Sequence, residues 1–218
     1  RPVSDPNARI FFERAWGLPA GTLGAVPGLT VTEMEQVAGD RVRGLIAIGE
    51  NPVVTSPDSR KTQENLKRLD FLLVVDLFIT ETAELAHLVL PAAAWAEKSG
   101  SRTNTDRRVQ WSPKAVHPPG EARPDWKILT DLAHRLGLGS FFPYTCPEDV
   151  LEEIRRVVPA YGGMNPRRLA TAAEGIAWPC PEETHPGTPV LHEHRFATED
   201  GLARLYPVVF REVPELPD

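Results

Sequence analysis

The stretch Val74-Val75-Asp76-Leu77-Phe78-Ile79-Thr80-Glu81-Thr82-Ala83-Glu84-Leu85-Ala86-His87-Leu88-Val89-Leu90-Pro91 decides how the rest of the chain is read. It has the form of a strand end, a polar turn, one or two helical turns and a second strand. Residues 71–75 are all apolar. That run is too short for a typical helix and suits a strand covered on both faces. Asp76 falls where the strand should end, and open parallel sheets bind ligands beyond the carboxyl ends of their strands. Asp76 is therefore a candidate ligand contact, with Thr80, Glu81 and Thr82 adding polar groups after it. Residues 80–82 suit a helix cap equally well, because they precede an apolar run and can satisfy free helical amides.

Working outward, residues 42–48 (VRGLIAI) read as another buried strand, ending at the turn Gly49-Glu50-Asn51-Pro52. Gly49 permits a sharp turn, but no GxGxxG is present, and a plain βα turn accounts for this segment. Residues 59–69 read as a helix, with Asp58 and Ser59 offering caps and Leu66 and Leu69 on the buried side. Strands at 71–75 and 88–90 complete a β-α-β-α-β alternation. That pattern predicts an α/β fold: a Rossmann-like parallel sheet with right-handed crossovers and helices on both faces. Irregular, Pro-rich N- and C-terminal extensions flank it, since most of the 22 prolines fall before residue 30 or after residue 112. The expected division is a lead-in with short helices (1–40), the α/β core (41–137) and a helical and irregular extension (138–218).

The lead-in predicts a helix over 6–16, with Asp5 as N-cap and Pro6 as first helical residue. A second follows over 30–38, capped by Thr30 or Thr32 and stopped by Gly39. Beyond the sheet, Lys98 sits in a run of small residues and offers a point charge for a phosphate; an ordinary surface lysine is the plain alternative. Residues 103–111 read as an irregular loop entering a short strand, with Arg107 and Arg108 on opposite faces. Either arginine suits an anion, a buried carboxylate or a solvent salt bridge. The linker 118–125 ends in Asp125, read as the cap of a helix over 126–136. Ile128, Leu129, Leu132 and Leu136 should form that helix's buried face. Further helices are expected over 147–157 and 166–173.

With 41% hydrophobic and 25% charged residues, the chain can bury a real core. Its net charge of −6 argues against a nucleic-acid partner. No apolar run reaches the roughly 20 residues needed to span a membrane. The first six residues lack the apolar core of a signal peptide, and the absence of an initiator Met is read as the mark of an excised piece. Cys146 and Cys180 form no CxxC pair and are read as reduced thiols of a cytoplasmic protein. His192-Glu193-His194 with Cys180 hints at metal ligation, both rings sharing one face of a short strand. No fourth ligand stands at a standard spacing, and no metal site is assigned.

Several segments taken together carry a resemblance. They are Gly49-Glu-Asn-Pro52, Thr80-Glu-Thr82 with Ala86-His-Leu-Val-Leu-Pro91, Glu97-Lys-Ser-Gly100, Thr103-Asn-Thr-Asp-Arg-Arg108 and Pro119-Gly-Glu-Ala-Arg-Pro-Asp-Trp126. In this order the set resembles the molybdopterin oxidoreductases of the dimethyl-sulfoxide-reductase superfamily, above all the catalytic subunits of formate dehydrogenases and then nitrate reductases. The resemblance implies an enzyme holding molybdenum or tungsten between two molybdopterin guanine dinucleotides. It also implies a [4Fe–4S] domain before this region, a final cofactor-binding domain after it, and electron-transfer subunits as partners. The chain has no cysteine cluster for the iron–sulfur site and no Cys or selenocysteine motif for the metal. It is accordingly read as an internal fragment, inactive and cofactor-free alone, whose partners are the remaining domains of the same polypeptide.

The resemblance places dinucleotide contacts at Asn51 after the first strand, at Val75 and Asp76 ending the second, at Lys98 and at Asp125. No catalytic residue falls within the chain. Asp76 has the right chemistry to accept from a guanine edge or a ribose diol, and Lys98 to neutralise diphosphate. The chain departs from the common pattern at Val75, which some relatives replace with Ser, and at Ser99, where an acid is usual. Ser101-Arg102 stands where a small-aromatic pair is usual, and His87 where Asp is. Two other classes stay open. One is the cofactor-free scaffold region of the large iron–sulfur subunit of NADH–quinone oxidoreductases; the other is a free-standing nucleotide-binding domain.

Overall fold

Residues 2–210 are described by the computed structural model. They fall into a first unit, up to Gly187, and a second, from Thr188 onward. The first unit carries three parallel strands, β1 (Gly44–Ile48), β2 (Phe71–Asp76) and β3 (Leu88–Pro91), hydrogen-bonded in that order. The register pairs Ile48 with Val75 and Asp76 with Pro91, so the three carboxyl ends are nearly flush.

Helices α1 (Pro6–Trp16) and α2 (Val31–Gln36) precede β1. Helices α3 (Pro52–Thr55) and α4 (Ser59–Leu66) connect β1 to β2, and α5 (Glu81–Glu84) connects β2 to β3. Helix α6 (Asp125–Arg135) returns after the sheet.

Side chains of a strand alternate between faces, and β2 uses both. Leu72 and Val74 pack with Val53 of α3, Leu66 of α4 and Ala83 of α5. Leu73 and Val75 pack with Ala92 and with Ile128 of α6. All four β2 residues are at most 2% exposed, and each contributes roughly 1.5–3 kcal/mol of burial. Parallel crossovers of one hand running in one direction place their helices on one face, here α3, α4 and α5, and α6 packs on the other. The expected α/β architecture, with helices on both faces of a parallel sheet, is the one observed.

A second core lies in the same unit. Strands β4 (Gly100–Thr103), β5 (Arg108–Ser112) and β6 (Ile176–Ala177) form an antiparallel sheet in that order. Helices α7 (Pro147–Val157) and α8 (Pro166–Thr171) pack on it. Val109, Leu151, Met164, Leu169, Ile176 and Cys180 make its interior.

Several local expectations need correction. Strand β1 begins at Gly44, later than residue 42, and α4 ends at Leu66 rather than at 69. Helix α2 stops at Gln36, with Thr30 as its cap: the hydroxyl accepts from the Glu33 amide while the Glu33 carboxylate accepts from the Thr30 amide at 2.8 Å. Helix α8 stops at Thr171. Asp125 does not cap α6; it is the first helical residue, its side chain makes no cap bond, and Pro124 holds the cap position. Leu136 lies outside the buried face, 66% exposed.

Residues 100–112 form a hairpin. Its turn is closed by the Asn104 amide on the Arg108 carbonyl at 3.1 Å. Arg107 takes the left-handed position at φ 65°. It therefore lies outside the strand, and its guanidinium donates to the Trp178 carbonyl. Arg108 pairs with Asp106 at 3.2 Å, in line with the solvent salt bridge.

From Thr188 to residue 210, the described part of the second unit has no helix or strand. Residues 196–201 close a turn through the Phe196 amide on the Gly201 carbonyl at 2.9 Å, and His192 stacks on Phe196. The expected strand through His192 and His194 is absent: His192 is left-handed, φ 58°. Among the described residues, no three His, Cys, Asp or Glu side chains group to hold a metal. No helix among them is long and apolar enough to cross a membrane.

Candidate functional site at the carboxyl edge of the parallel sheet

The site is built from the three strand ends. After β1 the chain turns at Gly49, whose φ of +62° is accessible to glycine at little cost. The Gly49 amide donates to the Val75 carbonyl at 2.9 Å, extending the ladder to the very end of the sheet. Val75 thereby commits its carbonyl to β1, and its side chain is 1% exposed beneath α6. Its place is in the frame of the edge.

Asn51 follows and ties this end of β1 to α5. Its Oδ1 accepts from the Thr82 hydroxyl at 2.7 Å and the Thr82 amide at 3.3 Å. Its Nδ2 donates to Glu81 at 2.8 Å. The Thr82 hydroxyl in turn accepts from the Val53 amide at 3.2 Å. Asn51's hydrogen bond, followed by a backbone amide, lowers the Glu81 carboxyl below its ordinary pKa. Thr80 is a cap, accepting from the Ala83 amide at 3.2 Å, so the capping reading holds for Thr80, while Glu81 and Thr82 bond Asn51.

Asp76 ends β2. One carboxylate oxygen accepts from the Leu77 amide at 2.6 Å, and the other has no protein donor among the described residues. The Asp76 carbonyl accepts from the Ala92 amide at 3.0 Å, joining the ends of β2 and β3. Beyond Asp76 the loop is apolar and open: Leu77, Phe78 and Ile79 are 50%, 77% and 69% exposed.

Lys98 and Asp125 arrive together. The linker before α6 lies against the end of β3 through a parallel bridge between Ala92 and Arg123. The Arg123 amide donates to the Pro91 carbonyl at 3.1 Å and the Ala93 amide to the Arg123 carbonyl at 2.8 Å. This docking delivers Asp125 to the same edge, where its carboxylate pairs with the Lys98 ammonium. The pair lines a cleft of about 280 Å³ with Gly100, Arg102, Trp126 and Leu151.

Asn51, Val75 and Asp76 thus lie at the carboxyl ends of β1 and β2, whereas Lys98 and Asp125 pair with each other beyond β3, in a cleft they share with residues of β4 and α7. Asn51, Asp76, Lys98 and Asp125 are partly exposed there. Sequence reasoning missed Thr82 and Glu81 as the partners of Asn51, and Arg123 as the anchor of the linker. The Thr80-Glu81-Thr82 triplet was the available signal for the first; nothing in the linker announced the second.

The sequence pattern of molybdopterin oxidoreductases matches residues 3–135. The chain belongs to the molybdopterin oxidoreductase family. It is 51% identical over 191 residues to the F420-dependent formate dehydrogenase subunit alpha of Methanocaldococcus jannaschii, covering 88% of this chain and 28% of that protein. It is 36% identical over 209 residues to the assimilatory nitrate reductase catalytic subunit of Bacillus subtilis, covering 94% of this chain and 29% of that one. The chain therefore spans less than a third of these relatives. Among solved structures, acetylene hydratase from Pelobacter acetylenicus matches with a TM-score of 0.53 and 24% identity, over 76% of this chain and 23% of that one. That last likeness is one of fold.

Proposed function

We propose that this chain is part of a molybdenum or tungsten oxidoreductase of the formate dehydrogenase or nitrate reductase type. In this reading it supplies part of the surface that binds a molybdopterin guanine dinucleotide, centred on residues 41–137. The observation that carries the proposal is the edge itself. Flush strand ends present Asp76, with one carboxylate oxygen unpartnered among the described residues, and the Lys98–Asp125 pair follows the linker that docks on the end of β3. In parallel α/β sheets that rim is where nucleotides bind.

The donor set suits the group. The free Asp76 oxygen accepts from a guanine N–H edge or a ribose diol. Lys98 offers a cation for diphosphate while Asp125 holds it in place. Asn51 and Val75 act through the frame: one clamps α5 to the end of β1, the other closes the ladder. When bound, the cofactor supplies the metal-centred redox chemistry. The residues here hold its nucleotide end. The metal ligand and the [4Fe–4S] centre belong, in this proposal, to the rest of the polypeptide, with electron-transfer subunits as partners and the cytoplasm as the compartment.

Metal and nucleotide analysis of the full-length protein tests the proposal. Stoichiometric molybdenum or tungsten, with two guanine nucleotides released per metal, is the expected result, with activity on formate or nitrate. Intact iron–sulfur clusters with no molybdenum, tungsten or guanine would instead assign the chain to a cofactor-free scaffold.

A further inference from the structure

We infer that the cleft holding the Lys98–Asp125 pair is an anion site whose net positive charge comes from Arg102, and that Arg102 is the residue that draws a diphosphate group into it. For the identity of that diphosphate, as part of the dinucleotide, the inference rests on the functional proposal above.

The charge balance of the cleft carries the inference. Its lining holds three charged side chains, Lys98, Arg102 and Asp125, beside the apolar Trp126, Leu151 and Ile154. Lys98 is paired with Asp125. An approaching anion meets such a pair as a dipole, whose pull decays faster with distance than that of a single charge. Arg102 has no acidic partner among the described residues; its guanidinium donates to the Trp95 carbonyl at 2.7 Å. Two cations and one carboxylate leave one positive charge, and it resides on Arg102. The acids in the first turn of α7 do not cancel it. Glu148 and Asp149 line a different cavity, and Asp149 is bound to the Thr145 and Cys146 amides.

The fold holds that charge beside Lys98. Arg102 stands on β4, the edge strand of the second sheet, opposite Gln110. Its guanidinium folds back over the Trp95 ring, with Cζ 5.9 Å from the ring centre. Trp95 opens the short turn, residues Trp95–Glu97, that leads into Lys98. A guanidinium has five N–H donors in a flat fork, so most remain for a ligand after the Trp95 carbonyl takes one. The turn has other fastenings. Glu97 accepts from the Ala94 amide at 2.8 Å, and the Ala96 carbonyl accepts from the Ala115 and Val116 amides at 2.8 and 3.1 Å. Its shape therefore does not depend on Arg102. The resemblance implies an aromatic residue at position 102, which can stack on Trp95 equally well but brings no charge. The extra cation is thus a property of this chain.

The test uses the full-length protein produced without cofactor, with inorganic pyrophosphate as the probe and isothermal titration calorimetry as the readout. Arg102→Gln removes the charge and keeps an amide donor; Arg102→Lys keeps the charge and loses the fork. The parent should bind pyrophosphate, Arg102→Gln should bind it about tenfold more weakly, and Arg102→Lys should stay close to the parent. Added salt should weaken binding less in Arg102→Gln, which has one cation fewer to screen. Arg102→Phe, which restores the usual aromatic, should behave as Arg102→Gln. No binding by the parent, or equal binding by the parent and a folded Arg102→Gln or Arg102→Phe, would overturn the inference. Arg102→Lys as weak as Arg102→Gln would overturn it too, because the guanidinium would then act by holding the turn. Guanine is measured in the cofactor-loaded protein alongside. Guanine present, with pyrophosphate binding indifferent to Arg102, removes the inference and leaves the functional proposal standing. Binding that depends on Arg102 in a protein that never carries guanine does the reverse.

Discussion

The Lys98 ammonium and the Asp125 carboxylate form an ion pair between residues that approach the edge of the sheet from opposite directions, one leaving β3 and the other entering α6. Their side chains are 23% and 34% exposed, so the pair is neither dry nor freely solvated. Any anion reaching Lys98 meets a cation that Asp125 already holds in one position. Urea denaturation of Lys98→Met, Asp125→Ala and the double variant should give a coupling of roughly 1 kcal/mol, near the top of the range for exposed pairs. A coupling indistinguishable from zero would show that the pair has no positional role.

Thr82 is fully buried and joins three elements through one hydroxyl. Thr82→Val keeps the shape and removes the donor to Asn51 and the acceptor for the Val53 amide. Leaving buried polar groups unmatched costs about 1–3 kcal/mol. Chemical denaturation of the variant should show a loss of that size. Thr82→Ser restores the hydroxyl and should recover most of it.

Asp149 reaches back from the first turn of α7 and accepts from the Thr145 amide, the Thr145 hydroxyl and the Cys146 amide. Those bonds, the Thr145 amide first, hold its carboxyl at about 2, below the ordinary 3.8. The stabilisation is thus complete above about pH 4 and is lost as pH falls through about 2. Asp149→Ala should melt earlier than the parent protein at pH 7, and the gap between their melting temperatures should close as the pH approaches 2. A gap independent of pH would mean that the effect is not carried by the ionised carboxylate.

The parallel sheet was legible because residues 71–75 are apolar without interruption and are bounded by Asp70 and Asp76. Periodicity of that kind survives any tertiary context that buries both faces. Helices α1 and α7 were legible in full, residues 6–16 and 147–157, because proline at the first helical position marks each start. The second sheet was not. Three of the four residues of β4 are exposed, and β6 is two residues long, so neither carries an apolar alternation. Its hairpin turn was hidden because Arg107, not glycine, occupies the left-handed position. Asp125 was misread as a cap because local sequence cannot disclose a partner 27 residues away; Lys98 takes the carboxylate that would otherwise bond the helix amides. His87 stands where the resemblance implies Asp, and its Nδ1 accepts from the Leu72 amide at 3.0 Å, which a carboxylate can also do.

In the proposed function, the carboxyl edge of the sheet binds the nucleotide end of a molybdopterin cofactor. The most direct test of that binding is the guanine nucleotide released from full-length protein carrying Asp76→Ala, set against the folded fraction of the same sample measured by circular dichroism. Asp76 sits at a strand end, partly exposed, and among the described residues its side chain bonds only the adjacent Leu77 amide. The fold should therefore persist while guanine per folded molecule falls severalfold. Unchanged guanine content in a fully folded variant would contradict the account.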